Sequence, residues 1–295
     1  MPEPLDFNRH AHDWPNRAAS RLVETPGIRW HVQVMGEGPP LLLLHGTGAS
    51  THSWAGLIPI LAERFTVIAP DLPGQGFTEI TGRRDLSITG MARATRGLLD
   101  SLGLEPEFAV GHSAGAAILA RMSIDRQLAP RGLVSLNGAF VPFGGAVTRL
   151  FSPLAKVLTL NPVVPQLFAW SAGDRASVER LLKSTGSKVP EDSLALYQRL
   201  FSCPRHVSST LGMMASWNLE ALLADLPRLD RPLLLVTGEN DLTVSPGDAH
   251  FISRLVSGSA TKRLAGLGRL AHEEDPGRVA EAILAFAGRS GTPVW

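Results

Sequence analysis

The sequence contains few cysteines, no block of like charge and no nucleotide-binding motif, and each absence excludes a class of protein. Cys203 is the one cysteine among 295 residues, so the chain can form no internal disulfide. The 28 basic and 27 acidic residues nearly cancel and form no basic block, which argues against a nucleic-acid partner. There is no P-loop, no dinucleotide-binding glycine pattern and no zinc-spaced Cys/His cluster, so we expect no metal and no cofactor.

The sequence also has no apolar run that would readily span a membrane. Its first 20 residues are polar and lack the apolar centre of a signal peptide. The most apolar stretch, residues 150–170, contains Lys156 and three prolines, which disfavours a spanning helix. We therefore expect a cytoplasmic protein, and we leave open a peripheral contact with a membrane.

Short apolar runs alternate with amphipathic stretches through most of the sequence. This alternation predicts an α/β fold with a mostly parallel sheet covered by helices on both faces. Residues 141–229 interrupt the alternation, because they are helix-like and contain no convincing strand. We predict an α/β core at 1–140 and 230–295 and an inserted helical cap at 141–229, in which residues 150–170 form short helices over the site.

A serine stands between two glycines in the segment FAVGHSAGAAI, residues 108–118. The apolar run before it predicts a strand, and the small residues after it predict a helix. A sharp strand-to-helix turn exposes the side chain of Ser113, and the tightness of the turn requires small neighbours, here Gly111 and Gly115. The segment is therefore predicted to be the nucleophile elbow of a serine hydrolase.

An acid and a base follow Ser113 in the chain order typical of this chemistry. Asp241 comes just after the apolar run PLLLVTG, and His272 precedes the last predicted helix. Both would lie at the carboxyl edge of the sheet, beside the serine. We predict a catalytic triad of Ser113, Asp241 and His272, in which His272 takes the serine proton and Asp241 orients the imidazole.

Other residues near these positions are weaker candidates. Glu239 is closer to the strand and is typical of a turn, and His250 is predicted to lie on a helix. Asn137 follows the preceding strand, where related enzymes can carry the acid, but its side chain is neutral. Glu273 and Glu274 are expected to face solvent at the start of the last helix.

The oxyanion formed during acyl transfer needs two backbone N–H donors. The N–H of Ala114 follows the nucleophile directly, and the N–H of Thr47 lies in the HGTG loop after the strand PLLLL. We predict these two groups as the oxyanion hole, and we expect His45, in the same loop, to have a structural role.

The chain resembles the α/β-hydrolase superfamily over nearly its whole length, through the segments LLLLHGTG, VIAPDLPGQG, VGHSAG, VTGENDLTV and AHEEDP. Within it, HGTGASTHSWAGLIPIL, MMASWNLEALL and GLGRLAHEE are similar to the BchO family, magnesium-chelatase accessory proteins of bacteriochlorophyll synthesis. Arg269 stands where we expect a histidine, outside the predicted triad. The resemblance implies magnesium-chelatase subunits as partners and a role beside magnesium insertion into protoporphyrin IX.

The predicted cap carries aromatic and thioether side chains that suit a flat apolar ligand such as a tetrapyrrole. These residues are Phe168, Trp170, Met213, Met214 and Trp217. The alternative role of each residue is to pack the cap against the sheet, which is the more common role of such side chains.

Three functions stay open from the sequence. The first is a serine hydrolase acting on an ester or similar acyl bond, with an accessory role in the magnesium-chelatase step. The second is a non-catalytic protein that binds a porphyrin or docks on the chelatase. The third is a general carboxylesterase unrelated to pigment synthesis.

Overall fold

The computed structural model describes residues 5–81, 85–142 and 174–289. The strands of this part are β1 (Ser20–Thr25), β2 (Ile28–Met35), β3 (Pro40–Leu44), β4 (Thr66–Pro70), β5 (Glu79–Ile80), β6 (Phe108–His112), β7 (Gly132–Leu136), β8 (Leu233–Gly238) and β9 (Ser259–Leu264). They form one sheet in the order β1-β2-β4-β3-β6-β7-β8-β9, and β5 pairs with β2.

The described helices are α1 (Phe7–His10), α2 (Leu57–Ala62), α3 (Ile88–Leu102), α4 (Ala114–Ile124), α5 (Arg175–Lys183), α6 (Glu191–Phe201), α7 (Pro204–Ser216), α8 (Leu219–Asp225), α9 (Pro246–Leu255), α10 (Ala271–Glu274) and α11 (Pro276–Arg289). Short 3-10 turns lie at Arg17–Ala19, Thr51–Trp54 and Leu226–Arg228.

The sheet is mostly parallel. From β4 through β3, β6, β7 and β8 to β9, every neighbouring pair is parallel. The antiparallel pairs all involve β2, which forms a hairpin with β1 and also pairs with β4 and β5. The predicted α/β fold with a mostly parallel sheet is confirmed.

Helices cover both faces of the sheet, as the run of four leucines in β3 illustrates. Leu42 and Leu44 pack in a cluster with residues of α3, α4, α8 and α9. Leu41 and Leu43 point to the other face and pack with residues of α2 and α11. Successive side chains of a strand point to opposite faces, so a strand that is buried on both sides is apolar at every position.

Between β7 and β8 the described residues, 137–142 and 174–232, carry helices α5 to α8 and no strand. Residues 150–170, with their predicted short helices, lie outside the described part of the chain. The division into a core and a cap at 141–229 stays a prediction. No helix within the described ranges has the length and apolarity needed to cross a membrane.

Candidate active site

Ser113 occupies the turn between β6 and α4. Its φ of 49° and ψ of −109° are unusual for a residue that is not glycine. Such backbone strain costs about 1–3 kcal/mol and persists only where the surroundings enforce it. Here the Ser113 N–H donates to the Leu136 carbonyl of β7 over 2.9 Å, and the Ser113 carbonyl accepts from Ala139 N–H over 3.1 Å. The chain therefore forms the strand-to-helix elbow expected from its sequence.

Close backbone approach explains the glycines on either side of Ser113. A Cβ on Gly111 would lie 2.3 Å from the Ala116 nitrogen, and one on Gly115 would lie 2.0 Å from the Leu44 carbonyl oxygen. Both distances are far below van der Waals contact, so neither position can accept a side chain without a shift of backbone.

Asp241 lies just after β8, where four donors surround its carboxylate. The Oδ1 atom accepts from the backbone N–H groups of Thr243 and Val244, over 2.7 and 2.9 Å. The Oδ2 atom accepts from Asn137 Nδ2 over 2.8 Å. Asn137 therefore holds the acid in place, a role that its sequence position just after the end of β7 does not reveal. The fourth donor to Asp241 is an arginine.

Arg269 occupies the position between Ser113 and Asp241 that a catalytic histidine would need. One guanidinium nitrogen donates to Ser113 Oγ over 2.5 Å, and another lies 3.4 Å from Asp241 Oδ2. Burial lowers the pKa of the guanidinium below its ordinary value, and Asp241 opposes that shift. Arginine nevertheless stays protonated in proteins. The expectation that Arg269 stands apart from the triad is therefore corrected, since this side chain contacts both Ser113 and Asp241.

The structure turns His272 away from the serine. Its Nε2 atom lies 2.7 Å from Ser53 Oγ, and its ring lies against those of Trp54 and His112, with centroids 4.5 Å apart in each case. Burial, reinforced by the charge of Arg269, lowers the pKa of His272 to about 3, so the imidazole is neutral. The predicted Ser113–His272 contact is corrected, because α10 carries the imidazole toward the protein interior.

The hydrogen bonds around Ser53 fix the tautomer of His272. The Ser53 hydroxyl donates to Glu273 Oε1 over 2.6 Å, so its oxygen must accept from His272 Nε2–H. The remaining nitrogen, Nδ1, has no partner among the described residues. The nitrogen that bonds Ser53 is therefore a donor, and it cannot act there as a base.

Glu273 is buried, contrary to the expectation that it faces solvent. Its carboxylate accepts from Ser53, from Tyr197 over 2.7 Å and from Ser193 over 2.6 Å. Burial raises the pKa of this carboxyl group, and the three hydrogen bonds oppose the shift. Ser193 and Tyr197 belong to α6, so this network joins α6 to the segment that carries Arg269.

A cavity of about 350 Å³ opens above Ser113. Thr47 and Ala114, the predicted oxyanion-hole residues, both line it together with Ser113 and Arg269. The loop that carries Thr47 closely approaches the elbow, because a Cβ on Gly46 would lie 3.2 Å from Ser113 Cβ. The oxyanion hole stays a prediction, but its two residues lie beside the serine.

Two of the five predicted ligand contacts line this cavity. They are Met214 and Trp217, and the Trp217 indole N–H also donates to the Leu86 carbonyl over 3.2 Å. Met213, one residue earlier on α7, points instead into the protein core, where its sulfur accepts from Gln75 Nε2. Its predicted ligand contact is corrected for that reason. Phe168 and Trp170 lie outside the described residues.

Comparison with known proteins agrees with this fold. Residues 41–282 match the profile of the Alpha/beta hydrolase family. The chain belongs to the alpha/beta hydrolase family. Within it, the chain is 36% identical over 263 residues to the magnesium-chelatase 30 kDa subunit of Rhodobacter capsulatus, covering 88% of this chain and 92% of the relative.

Two further similar proteins share less of their sequence with this chain. Haloalkane dehalogenase 2 of Mycobacterium bovis is 28% identical, over 95% of this chain and 98% of its own length. The crystal structure of an alpha/beta hydrolase fold protein from Burkholderia ambifaria superposes with a TM-score of 0.75 at 23% identity, covering 90% and 99% of the two chains. The last of these shows the shared fold alone.

The described site is thus an alpha/beta hydrolase site in which a permanent cation replaces the expected base. It can donate hydrogen bonds to an acceptor in the cavity, but Arg269 cannot take a proton from Ser113. The sequence did carry a signal of this, because GLGR stands where the resemblance led us to expect a histidine.

Proposed function

We propose that this protein acts as a binding or accessory protein in the magnesium-chelatase step of tetrapyrrole synthesis, and not through serine hydrolysis. The observation that supports the proposal is the contact of Arg269 with both Ser113 and Asp241. The 36% identity to a magnesium-chelatase subunit supports the biological setting. Magnesium-chelatase subunits are the proposed partners, and a tetrapyrrole is the proposed ligand.

The chemistry of the site supports binding over catalysis. Acylation of a serine requires that a base accept the hydroxyl proton as the oxygen attacks. Arg269 instead donates to a lone pair of that oxygen, which makes it a poorer nucleophile. Loss of the base from a serine triad lowers kcat by on the order of 10⁶-fold in a well-studied hydrolase. Turnover at that residual rate would be too slow for a metabolic enzyme.

One observation favours the alternative of a serine hydrolase. Ser113 keeps a strained backbone, with φ of 49°, and strain of this kind clusters at working active sites. For hydrolysis, Arg269 would have to leave the serine, and the base would have to reach it from elsewhere. The elbow is equally needed if Ser113 is a hydrogen-bond donor to a bound ligand, so it does not require catalysis.

Genetic complementation separates the two functions. The test strain makes bacteriochlorophyll and lacks its own copy of this protein, and it receives wild type, Ser113→Ala or Ser113→Thr. A binding function predicts that Ser113→Ala restores pigment to at least about half the wild-type level. Loss of pigment with Ser113→Ala, at a protein level and a protoporphyrin IX affinity equal to those of wild type, would overturn the proposal and favour hydrolysis.

A further inference from the structure

The cavity above Ser113 combines apolar walls with a polar floor. Its walls include Leu181, Leu182, Val207, Leu211, Met214 and Trp217. At its floor are Ser113, Arg269 and the backbone at Thr47 and Ala114. Its volume, about 350 Å³, lies within the usual range for small-molecule pockets, roughly 300–1,000 Å³.

The polar floor consists of hydrogen-bond donors. Ser113 Oγ accepts from Arg269, so its own O–H is left to donate. Ala114 N–H belongs to the first residue of α4, where no backbone acceptor is in reach within the helix. The Ser113 side chain does not cap it. The positive end of the α4 dipole lies at the same place. These donors call for an acceptor with negative charge.

Arg269 supplies the charge. Among the described residues that line the cavity it is the one charged side chain, and it is only 12% exposed. Asp241 offsets part of this charge, but it leaves guanidinium donors free, because its carboxylate also accepts from Asn137 and two backbone N–H groups and its contact with Arg269 is the longest of the four at 3.4 Å. A guanidinium has five N–H donors in a planar fork, and Ser113 and Asp241 take two of them.

We propose that this cavity binds an apolar carboxylic acid, with its carboxylate on Arg269 and Ser113 and its apolar body against the walls. The N–H groups of Thr47 and Ala114 would complete the set of donors. The inference rests on the proposed binding function and names the chemical class of the ligand. A single cation beside Asp241 suits a monoanion, and the planar fork of arginine matches the two oxygens of a carboxylate.

This chemistry could come from a tetrapyrrole propionate or from a fatty acid. The experiment therefore uses protoporphyrin IX beside its dimethyl ester and dodecanoic acid beside its methyl ester. Each ester keeps the apolar body and removes the charge. Porphyrin binding to the full chain is read from quenching of tryptophan fluorescence, because Trp217 lines the cavity. Binding of dodecanoic acid and of its methyl ester is measured by their competition with the bound porphyrin. The acid that binds more tightly shows whether the carboxylate comes from a tetrapyrrole or from a fatty acid.

Wild type should bind the acid about tenfold or more tightly than its ester, because hydrogen bonds to a charged group are among the stronger ones in proteins. Arg269→Met should weaken acid binding by about the same factor and leave ester binding unchanged, and Arg269→Lys should keep part of the preference. Arg180→Met is the matched control, since Arg180 is exposed on α5. Circular dichroism checks that every variant folds.

Equal affinity of wild type for acid and ester would overturn the proposal, as would an acid preference that survives Arg269→Met. Absence of saturable binding of all four probes at micromolar concentration would also overturn it. Mass spectrometry of the bound ester distinguishes failure of the proposed binding function from failure of the carboxylate site. Conversion of ester to acid by wild type, but not by Ser113→Ala, would contradict the binding function, and affinities for the two acids would still test the carboxylate site.

Discussion

Ser113 and Arg269 show how one side chain can change the chemistry of a site without changing its shape. The elbow, the acid and the predicted oxyanion hole all depend on backbone geometry, and Arg269 disturbs none of them. The guanidinium spans the gap between Ser113 Oγ and Asp241 Oδ2, which an imidazole spans in a serine triad. On the proposed function, this replacement removes the base of acid–base catalysis and provides a donor for an anion.

The close backbone contacts at the elbow predict how glycine substitutions change the stability of the protein. Gly115→Ala should destabilise the protein by about 2 kcal/mol or more, because the new Cβ would lie 2.0 Å from the Leu44 carbonyl oxygen. Gly97→Ala is the matched control on α3, where a Cβ meets nothing within 4 Å. It should stabilise the protein by about 0.5–1 kcal/mol through helix propensity.

Urea unfolding of the two glycine variants and wild type measures both effects. A Gly115→Ala variant as stable as wild type would contradict the close approach of Gly115 to the Leu44 carbonyl oxygen.

At the scale of elements, the decisive feature is the short segment between β9 and α11. It places Arg269 toward the cavity and, three residues later, His272 toward the interior, because α10 begins between them at Ala271. Glu273 then ties the segment to α6 through Tyr197 and Ser193. The position of Arg269 therefore depends on α6 as well as on the sheet.

Helix α7 is attached to the core by a histidine that must stay neutral. The Nδ1 atom of His206 accepts from Gly76 N–H over 3.0 Å, so its Nε2–H donates to the Gly48 carbonyl over 3.1 Å. Burial lowers the pKa of His206 to about 4. Because the pKa of His206 is lower in the folded state, the neutral imidazole makes its full contribution to stability at pH values above its unfolded pKa of about 6.5. This contribution is lost as the pH falls toward 4.

We therefore predict that His206 accounts for about 2 kcal/mol of the stability lost between pH 7 and pH 4.5. His206→Gln can keep one acceptor and one donor without titrating, so it should lose that much less on acidification than wild type. His250→Gln, at an exposed position of α9, should behave as wild type. Urea unfolding at the two pH values measures this. Equal acid sensitivity of His206→Gln and wild type would contradict the assignment.

At the scale of the whole molecule, the features that depend on local sequence pattern were predictable from the sequence. Alternating apolar runs predicted the sheet, and G-x-S-x-G between a strand and a helix predicted the elbow at Ser113. The order of residues along the chain also placed Asp241 at the correct edge. These features were predictable because a buried strand, a tight turn and a strand end each leave a mark within about ten residues of sequence.

The direction of individual side chains was not predictable in this way. His272 and Arg269 lie in the same loop, and chain order alone favours the histidine as the base. Only the start of α10 and the partner Ser53, from a distant part of the chain, decide which of the two reaches Ser113. Met213 and Met214 differ for the same reason, because the rotation of α7 sends one to the core and the other to the cavity.

Arg269→His tests most directly the claim that an arginine has replaced the catalytic base. The measurement is covalent labelling of Ser113 by a fluorophosphonate probe, with a known serine hydrolase as positive control and Ser113→Ala and Arg269→Gln as negative controls. We predict background labelling of wild type and of Arg269→Gln. Arg269→His should gain labelling by at least about 10²-fold, because a neutral imidazole beside Asp241 can accept the serine proton. Wild-type labelling as fast as the positive control, abolished by His272→Ala, would contradict the account.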